Sequence, residues 1–414
     1  MDAFDTPATA VPPSSSLPFD PTAFDGLFDP TAFDRPFDRA GTGSSKWARA
    51  EAAGRPGVIV LGLADMDLPG PPAVARALAA RAAHRAYGYT VCDPRGRDLV
   101  SHWYRTRHGV TVDPAWVMLL PFSPRTAVRL LLETLTPAGP VLFPTPEWGG
   151  FAAVCRAAGV AYEEVPLVLE QAGPGGGYRL PAGEFARRRP GAIMLSSPNN
   201  PTGRLWTRAE IRTLAEAVAE GGRGGVLISD EVHGDLLHPG RGLRQPVAVD
   251  AAGDLARHTV TLGSVGKTFN TSGLPSCFAL VPDPGLRSRL TERMAGFGLW
   301  EGGLLEQAVQ QAALRDGGPW LDALLGRLVT VRDRLTGLLG DAVVCPPQAS
   351  YLLWLDAAAL GLPADRARAA LLERCGLELT DGADFGAAGK GRLRLNFALP
   401  GPLVDTVVDR LRLL

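Results

Sequence analysis

Four segments of the sequence place charged or nucleophilic side chains within or directly after short apolar runs. They span residues 196–203, 228–233, 264–270 and 392–398, and they contain Asn200, Asp230, Lys267 and Arg394. A lysine between small residues can lose hydration and act as an amine nucleophile, and an arginine can bind a carboxylate through two hydrogen bonds. A simple turn, a helix cap and a solvated loop lysine are the alternatives without chemistry.

Lysine is rare in this chain, and arginine takes most of the basic positions. Lys46, Lys267 and Lys390 are its only lysines, so chemistry that requires a lysine amine has three candidates. Lys267 follows the apolar run 259–262, whereas the other two lysines have no matching context. Lys267 is therefore the predicted nucleophile.

Alternating strand and helix patterns must position these side chains. Apolar runs predict strands at residues 117–120, 141–143, 192–195, 226–228, 259–262 and 278–281. A helical pattern at 207–220 begins with Thr207 and Glu210, which fit a capping box. The alternation predicts an α/β fold with a mostly parallel sheet, and ligands of such sheets bind at the carboxyl ends of the strands.

A second group of elements follows Glu301. A long helical region to about Leu339, strands at 351–356 and 392–396, and helices at 363–375 and the C-terminus predict a smaller α/β lobe. In the strand at 392–396, alternation places Arg392, Arg394 and Asn396 on one face. We predict an arm and part of the small domain at 36–75, a large domain at 76–300 and a small domain at 301–414.

The first 35 residues are rich in Pro, Ser, Asp and Ala. They contain a short repeat, because the sequence FDPTAFD at residues 19–25 returns at residues 28–34. Two copies are too few for a solenoid. We expect residues 1–35 to be a disordered extension, with packing on a partner subunit as the alternative.

Composition argues against several classes of function. The formal net charge of -1 favours neither nucleic acid nor an anionic membrane as partner. The five cysteines contain no CxxC pair and the six histidines no HExxH spacing, so we expect no metal site and no disulfide framework. With neither a signal peptide nor an apolar run long enough to span a bilayer, the expected location is the cytoplasm.

The four segments, read as SxNNPTG, SDExH, SxxKTF and RLN, resemble the fold-type I pyridoxal 5′-phosphate (PLP) enzymes. The resemblance covers the chain from about Phe37 to the C-terminus and implies the fold-type I transferase fold, with a seven-stranded sheet in the large domain. Finer motifs are similar to the cystathionine β-lyase-like (C–S lyase) branch of the class I and II aminotransferase superfamily. They are His233 and the segments 37–39, 45–47, 64–67, 87–90, 107–109 and 351–356.

The resemblance also implies roles for individual residues. Lys267 would hold the cofactor as a Schiff base, and Asp230 would pair with the pyridine nitrogen. Asn200 and His233 would bind the phenolic oxygen, and Trp148 would stack on the ring. Phosphate ligands would be Ser264, Ser123, Arg125, Thr126 and, from the other subunit of a homodimer, Tyr89. The implied substrate contacts are Arg394, which would bind the α-carboxylate, together with Trp47 and Asn200.

Three positions depart from the pattern of the family. Pro124 stands in the loop whose backbone amides usually bind phosphate, and proline has no N–H. Pro275 replaces an arginine that aminotransferases often use for phosphate, and Gly266 replaces a serine that often precedes the lysine. These changes concern the phosphate end of the site. We also expect a cis Asn200–Pro201 bond, as in related enzymes.

The resemblance favours β-elimination from an S-substituted cysteine, which yields a thiol, pyruvate and ammonia. Aminotransfer or a decarboxylating deamination of an amino acid or cysteine conjugate is the first alternative. A PLP-binding regulator without turnover is the second. The altered phosphate end and the added extension suggest a specialised, secondary-metabolic member of the branch.

Overall fold

The computed structural model of the protein describes residues 28–39, 41–52, 57–171, 177–221, 224–240 and 242–414. Its strands, in chain order, are β1 (Ile59–Val60), β2 (Val117–Leu120), β3 (Val141–Thr145), β4 (Tyr162–Pro166), β5 (Val168–Gln171), β6 (Gly177–Arg179), β7 (Ala192–Ser196), β8 (Val226–Asp230), β9 (Thr259–Gly263), β10 (Cys277–Leu280), β11 (Leu352–Asp356), β12 (Leu377–Glu378), β13 (Thr380–Asp381) and β14 (Arg392–Asn396).

The α-helices surround these strands. They are α1 (Ser45–Ala52), α2 (Pro72–Ala83), α3 (Arg95–Trp103), α4 (Pro124–Leu135), α5 (Gly150–Ala158), α6 (Ala182–Arg187), α7 (Arg208–Glu220), α8 (Ala248–Ala251), α9 (Val265–Thr268), α10 (Pro284–Gly296), α11 (Leu304–Asp316), α12 (Gly318–Leu339), α13 (Ala367–Cys375) and α14 (Gly401–Leu411). Over the described ranges, none of them combines the length and apolarity needed to cross a membrane.

The central sheet has seven strands in the spatial order β2-β10-β9-β8-β7-β3-β4. Strand β10 runs antiparallel to both neighbours, and the remaining pairs are parallel. Every residue of β7, β8 and β9 is buried, because helices cover both faces of the sheet. The predicted mostly parallel seven-stranded sheet is confirmed.

The parallel strands β7, β8 and β9 place their carboxyl ends side by side. Ser196, the last residue of β7, pairs with Asp230, the last residue of β8, and Asp230 pairs with Leu262 of β9. The chemically interesting segments that follow these strands therefore meet at one edge of the sheet.

A smaller antiparallel sheet, in the order β11-β14-β13, closes this edge. Its middle strand β14 carries Arg394, which lies opposite Trp354 of β11 and Thr380 of β13. The backbone N–H of Asn396 donates to the carbonyl of Leu61 at 2.8 Å, which attaches the segment after β1 to this sheet. We call the segment 62–67 the lip of the site.

The helix boundaries reflect their capping residues. Helix α7 begins with the predicted capping box: the Thr207 hydroxyl accepts from the N–H of Glu210, and the Glu210 carboxylate accepts from the N–H of Thr207. The long helical region predicted after Glu301 consists of α11 and α12, and Gly317 lies between them.

The expectation that residues 1–35 form a disordered extension is wrong for residues 28–35. Asp29 caps a short 3-10 helix at Pro30–Asp34, and Phe33 is only 1% exposed. The rings of Phe28 and Phe33 pack against Trp320 of α12, with the Phe33 and Trp320 centroids 5.7 Å apart. Burial of two aromatic rings offsets the entropy lost on ordering. Residues 1–27, with the first repeat copy, lie outside the described residues.

Candidate active site

A cavity of about 300 Å³ lies at the carboxyl ends of the parallel strands, next to the smaller sheet. Most of the residues predicted to act in the site line this cavity. They are Ser123, Arg125, Trp148, Asn200, Asp230, His233, Ser264, Lys267 and Arg394. The fold thus brings together side chains that are up to 271 positions apart, from Ser123 to Arg394. Thr126, Tyr89 and Trp47 do not line the cavity.

Lys267 lies in α9, the single helical turn that follows β9. Its Nζ donates a hydrogen bond to the carbonyl of Ala64 in the lip, at 2.6 Å. Desolvation lowers the pKa of the amine, with the guanidinium of Arg394 acting in the same direction. A larger fraction of the amine is therefore unprotonated and able to attack an electrophile.

The other two lysines are not available for this chemistry. The side chain of Lys46 is fully buried, and its Nζ lies 2.7 Å from Oδ2 of Asp67. Lys390 is exposed in a turn and lines none of the cavities described for this protein. Lys267 is the lysine that faces the cavity.

Asp230 ends β8 with its carboxylate against the cavity. Burial raises the pKa of this carboxyl to about 6, and the carboxylate accepts one weak hydrogen bond from the N–H of Val232, at 3.3 Å. A buried carboxylate with so few donors can accept a strong hydrogen bond from a protonated ring nitrogen.

Arg394 projects from β14 and is held by uncharged acceptors. Its Nη1 donates to Oδ1 of Asn200 at 2.8 Å, and its Nη2 donates to the carbonyl of Gly62 at 2.6 Å. Its Nε is buried and lacks a hydrogen-bond partner among the residues that the structure describes. Burial lowers the pKa of this guanidinium to about 10. A buried guanidinium without a carboxylate partner in the described chain is suited to an anionic ligand group.

His233 is buried close to the end of β8. Its Nδ1 lies 3.0 Å from the hydroxyl of Ser350, and its ring packs edge-on against Tyr351. Burial lowers the pKa of the imidazole to about 3, so the ring is neutral at physiological pH. A neutral imidazole can donate one hydrogen bond to a ligand oxygen.

The N-terminus of α4 forms another wall of the cavity. Ser123 caps this helix by accepting from the N–H of Thr126 at 3.3 Å, and the two hydroxyl oxygens are 3.1 Å apart. The hydroxyl of Thr126 is therefore engaged by Ser123. Arg125 is exposed, and no ion pair joins it to a described acidic residue. Backbone N–H groups and a cation at a helix N-terminus favour an anion.

Tyr89 and Trp47 lie elsewhere in the single chain. Tyr89 is 98% exposed, and its ring is 6.1 Å from that of Trp300. Trp47 is half-buried and donates from Nε1 to Asp67 at 3.0 Å. Neither ring lines the cavity of its own chain, and the phosphate contact of Tyr89, expected from the other subunit, stays a prediction.

The expected cis bond at Asn200–Pro201 is wrong. The cis bonds of the described chain are Thr145–Pro146 and Ser197–Pro198. Asn200 is instead held by its backbone N–H, which donates to the Ser196 hydroxyl at 2.9 Å, and by its contact with Arg394.

Glu147 is a buried residue of the site that the sequence did not single out. Its carboxylate accepts from the N–H of Trp148 at 2.7 Å, from the N–H of Ser196 at 3.0 Å and from the Ser196 hydroxyl. Burial raises the pKa of this carboxyl to about 8. Glu147 therefore holds the aromatic wall and the loop of Asn200 in fixed positions. A lone carboxylate in a Pro-Glu-Trp turn gives no periodic signal.

Comparison with known proteins assigns the chain to a family. The family model "Aminotransferase class I and II" matches residues 56–411. The chain is similar to the cystathionine beta-lyase PatB of Bacillus subtilis (strain 168), with 31% identity over 389 residues, 91% of this chain and 96% of that protein. It is 28% identical to the protein MalY of Escherichia coli (strain K12) over 373 residues, 88% of this chain and 93% of MalY.

A solved structure supports the same fold. Cystalysin of Treponema denticola, which contains pyridoxal 5′-phosphate, superposes with a TM-score of 0.82 at 22% identity, over 93% of this chain and 98% of cystalysin. This likeness confirms the expected fold-type I architecture. The family match over residues 56–411 and the shared fold show that the chain belongs to the class I and II aminotransferase family.

Proposed function

We propose that the protein is a PLP-dependent carbon–sulfur β-lyase that cleaves an S-substituted cysteine to a thiol, pyruvate and ammonia. The observation that carries this proposal is the partly buried amine of Lys267, which shares one cavity with the buried carboxylate of Asp230 and with Arg394, whose buried Nε has no partner among the described residues. One relative, aligned over 91% of this chain, is named a cystathionine beta-lyase, and that name supports the reaction type.

The side chains that line the cavity match the chemical groups of the cofactor. Lys267 would bond to its aldehyde carbon, and Asp230 would pair with the ring nitrogen. Neutral His233 and the amide of Asn200 can donate to the phenolic oxygen, and Trp148 offers an aromatic face. Ser264, Ser123 and Arg125, with Thr126 beside them, would hold the phosphate.

When bound, the cofactor withdraws electrons from the substrate Cα and so weakens its C–H bond. Arg394 would bind the α-carboxylate through its Nε, which has no partner in the described ranges, and so fix the orientation of Cα. The lowered pKa of Lys267 leaves its amine able to take the Cα proton. Asp230, by remaining ionised, keeps a proton on the ring nitrogen.

Cleavage then breaks the bond between Cβ and sulfur. The sulfur leaves with the electron pair of that bond and takes a proton, which the Lys267 ammonium can supply. Addition of one water molecule then releases the three remaining carbons as pyruvate and the amino group as ammonia. Without a leaving group at Cβ, the same residues support aminotransfer, which the family name keeps as the second candidate.

The purified holoenzyme can be tested with cystathionine and a simple S-alkyl cysteine, with separate assays for pyruvate, free thiol and pyridoxamine phosphate. If the protein is a lyase, pyruvate and thiol should form in equal amounts. Pyridoxamine phosphate without pyruvate would establish the aminotransferase. Bound cofactor with neither product would indicate a regulator without turnover. Lys267→Ala is the control and should lose the visible absorption of the bound cofactor.

We further propose that the protein acts as a homodimer with shared sites. Large aromatic side chains are exposed on two segments that the contact between the Tyr89 and Trp300 rings brings together: Tyr87 at 61%, Tyr89 at 98%, Phe297 at 59% and Trp300 at 50%. A cluster of this kind favours burial against another chain. Since Tyr89 does not reach the cavity of its own chain, its hydroxyl would serve the phosphate of a second copy.

A further inference from the structure

Ser276 precedes β10 and carries a hydroxyl that nothing in the described chain satisfies. The residue is 4% exposed and lines the active-site cavity. Its Oγ is buried and has no hydrogen-bond partner among the residues of the described ranges. A buried hydroxyl without a partner destabilises the fold, so its presence in a cavity wall points to a ligand.

Sheet register places Ser276 between two elements that end at the same wall. Cys277 pairs with Leu120 of β2, so Ser276 lies beside the residues that lead into the N-terminus of α4. On its other side, the Ser264 hydroxyl donates to the carbonyl of Ser276 at 2.7 Å. Ser276 therefore stands between Ser264 and the helix N-terminus with Arg125.

Gly266 leaves space for the hydroxyls at this wall. A Cβ at this position would lie 3.1 Å from the Ser264 hydroxyl and 3.3 Å from the Ser272 hydroxyl, closer than an ordinary van der Waals contact. Pro124 and Pro275, which also line the wall, have no backbone N–H to offer. Donors for an anion must therefore come from side chains to a greater extent than in a glycine-rich loop.

We propose that the Ser276 hydroxyl donates a hydrogen bond to the phosphate of the bound cofactor and so contributes to selection of the phosphorylated form. The proposal rests on the proposed function, which supplies the phosphate. A helix N-terminus, a cation at Arg125 and a buried donor converge on one wall, whereas Arg394 approaches from the other sheet. Phosphate oxygens accept strong hydrogen bonds from such donors.

The test compares PLP with pyridoxal, which has the same ring and aldehyde but no phosphate. Dissociation constants are measured by absorbance on the full chain stripped of cofactor. For Ser276→Ala we expect PLP to bind about ten- to a hundredfold more weakly, the range for a hydrogen bond to a charged group. Pyridoxal should bind as it does to the wild type.

Thr261→Val is the matched control, because the Thr261 hydroxyl is also buried without a partner among the described residues but does not line the cavity. We expect its PLP affinity to change less than about threefold, which is the effect of losing one hydrogen bond at the weak end of the usual net range. Ser276→Cys, which keeps the size of the side chain with a weak donor, should weaken PLP binding in the same direction as alanine.

A second readout separates a ligand contact from a structural role. Without cofactor, Ser276→Ala should be as stable as the wild type or more stable, since the change removes an unsatisfied buried hydroxyl. Equal loss of PLP and pyridoxal affinity, or unchanged PLP affinity, would overturn the proposal for Ser276 alone. A wild-type protein that binds neither compound would overturn the proposed function as well.

Discussion

The Asp67→Asn substitution should strongly destabilise the protein, because it breaks a buried ion pair behind the active site. The side chains of Lys46 and Asp67 are 0% and 2% exposed, and Nζ lies 2.7 Å from Oδ2. Lys46 also donates to the carbonyl of Asp65 at 3.1 Å, and Asp67 accepts from Arg39 at 3.2 Å and from Trp47 at 3.0 Å. This network joins Arg39 and helix α1 to the lip that carries the Lys267 contact.

Removal of one partner of a buried pair costs about 3–5 kcal/mol, because the remaining charge stays buried. Lys46 keeps a carbonyl acceptor, so we expect about 3 kcal/mol for Asp67→Asn. Lys46→Met should cost less, about 1–2 kcal/mol, since Asp67 retains Arg39 and Trp47. Urea unfolding followed by far-UV circular dichroism measures both losses at a fixed cofactor concentration.

The loss caused by Asp67→Asn should also depend on pH. Burial already lowers the pKa of Lys46, although Asp67 opposes this effect, so removal of Asp67 lowers the pKa further. Between the folded and the unfolded pKa of Lys46, the unfolded chain binds more protons than the folded one, and stability rises with pH. The deficit should therefore shrink as the pH rises toward the unfolded pKa of lysine, about 10.4.

Asp65→Asn is the matched control for this experiment. Asp65 pairs with Arg39 at 2.8 Å, but its side chain is 19% exposed. A pair that water can reach is worth about 1 kcal/mol or less. An Asp67→Asn loss no larger than that of Asp65→Asn would refute the claim that the buried pair secures the lip.

Three further outcomes are expected. Asp230→Asn should abolish most turnover. It should also stabilise the cofactor-free protein by up to about 3 kcal/mol at pH 7–8, because burial raises the carboxyl pKa from 3.8 to about 6. In urea unfolding this gain should disappear below about pH 4, where the folded and unfolded carboxyls are both protonated. Inactive Tyr89→Phe and Lys267→Ala subunits should regain activity on mixing if sites are shared, and an active monomer in sedimentation would contradict this. Phe33→Ala should cost about 3 kcal/mol in urea unfolding through lost packing on Trp320, and a loss below about 1 kcal/mol would mean that this packing contributes little.

The sequence predicts the central strands well because their burial is continuous. Strands β7 to β9 are buried along their full length and consist mostly of apolar residues, so no alternative element competes. Strand β4 gave no signal: it is an edge strand of sequence YEEVP, and only Val165 among its residues is buried. The contact of Phe33 with Trp320 joins residues 287 positions apart and leaves no local trace.

Within the site too, some residues have a local sequence signal and others have none. Lys267 and Asp230 could be singled out because parallel strands bring their carboxyl ends together, so a motif after each strand is enough. Glu147 and Ser276 could not be found in this way. The Glu147 carboxylate accepts hydrogen bonds from β7 and from the loop after it. The Ser276 hydroxyl is reached by no donor or acceptor of the described chain. Both facts depend on tertiary packing.

The burial of Lys46 has a practical consequence for chemistry in solution. Aldehydes and activated esters react with exposed amines, and Lys390 is the one lysine side chain that presents such an amine outside the cavity. Among the lysines, non-specific adducts of PLP are therefore confined to Lys390. A spectroscopic titration with the free aldehyde should consequently report Lys267 with little background, and Lys390→Arg would leave Lys267 as the one lysine amine that the aldehyde can reach.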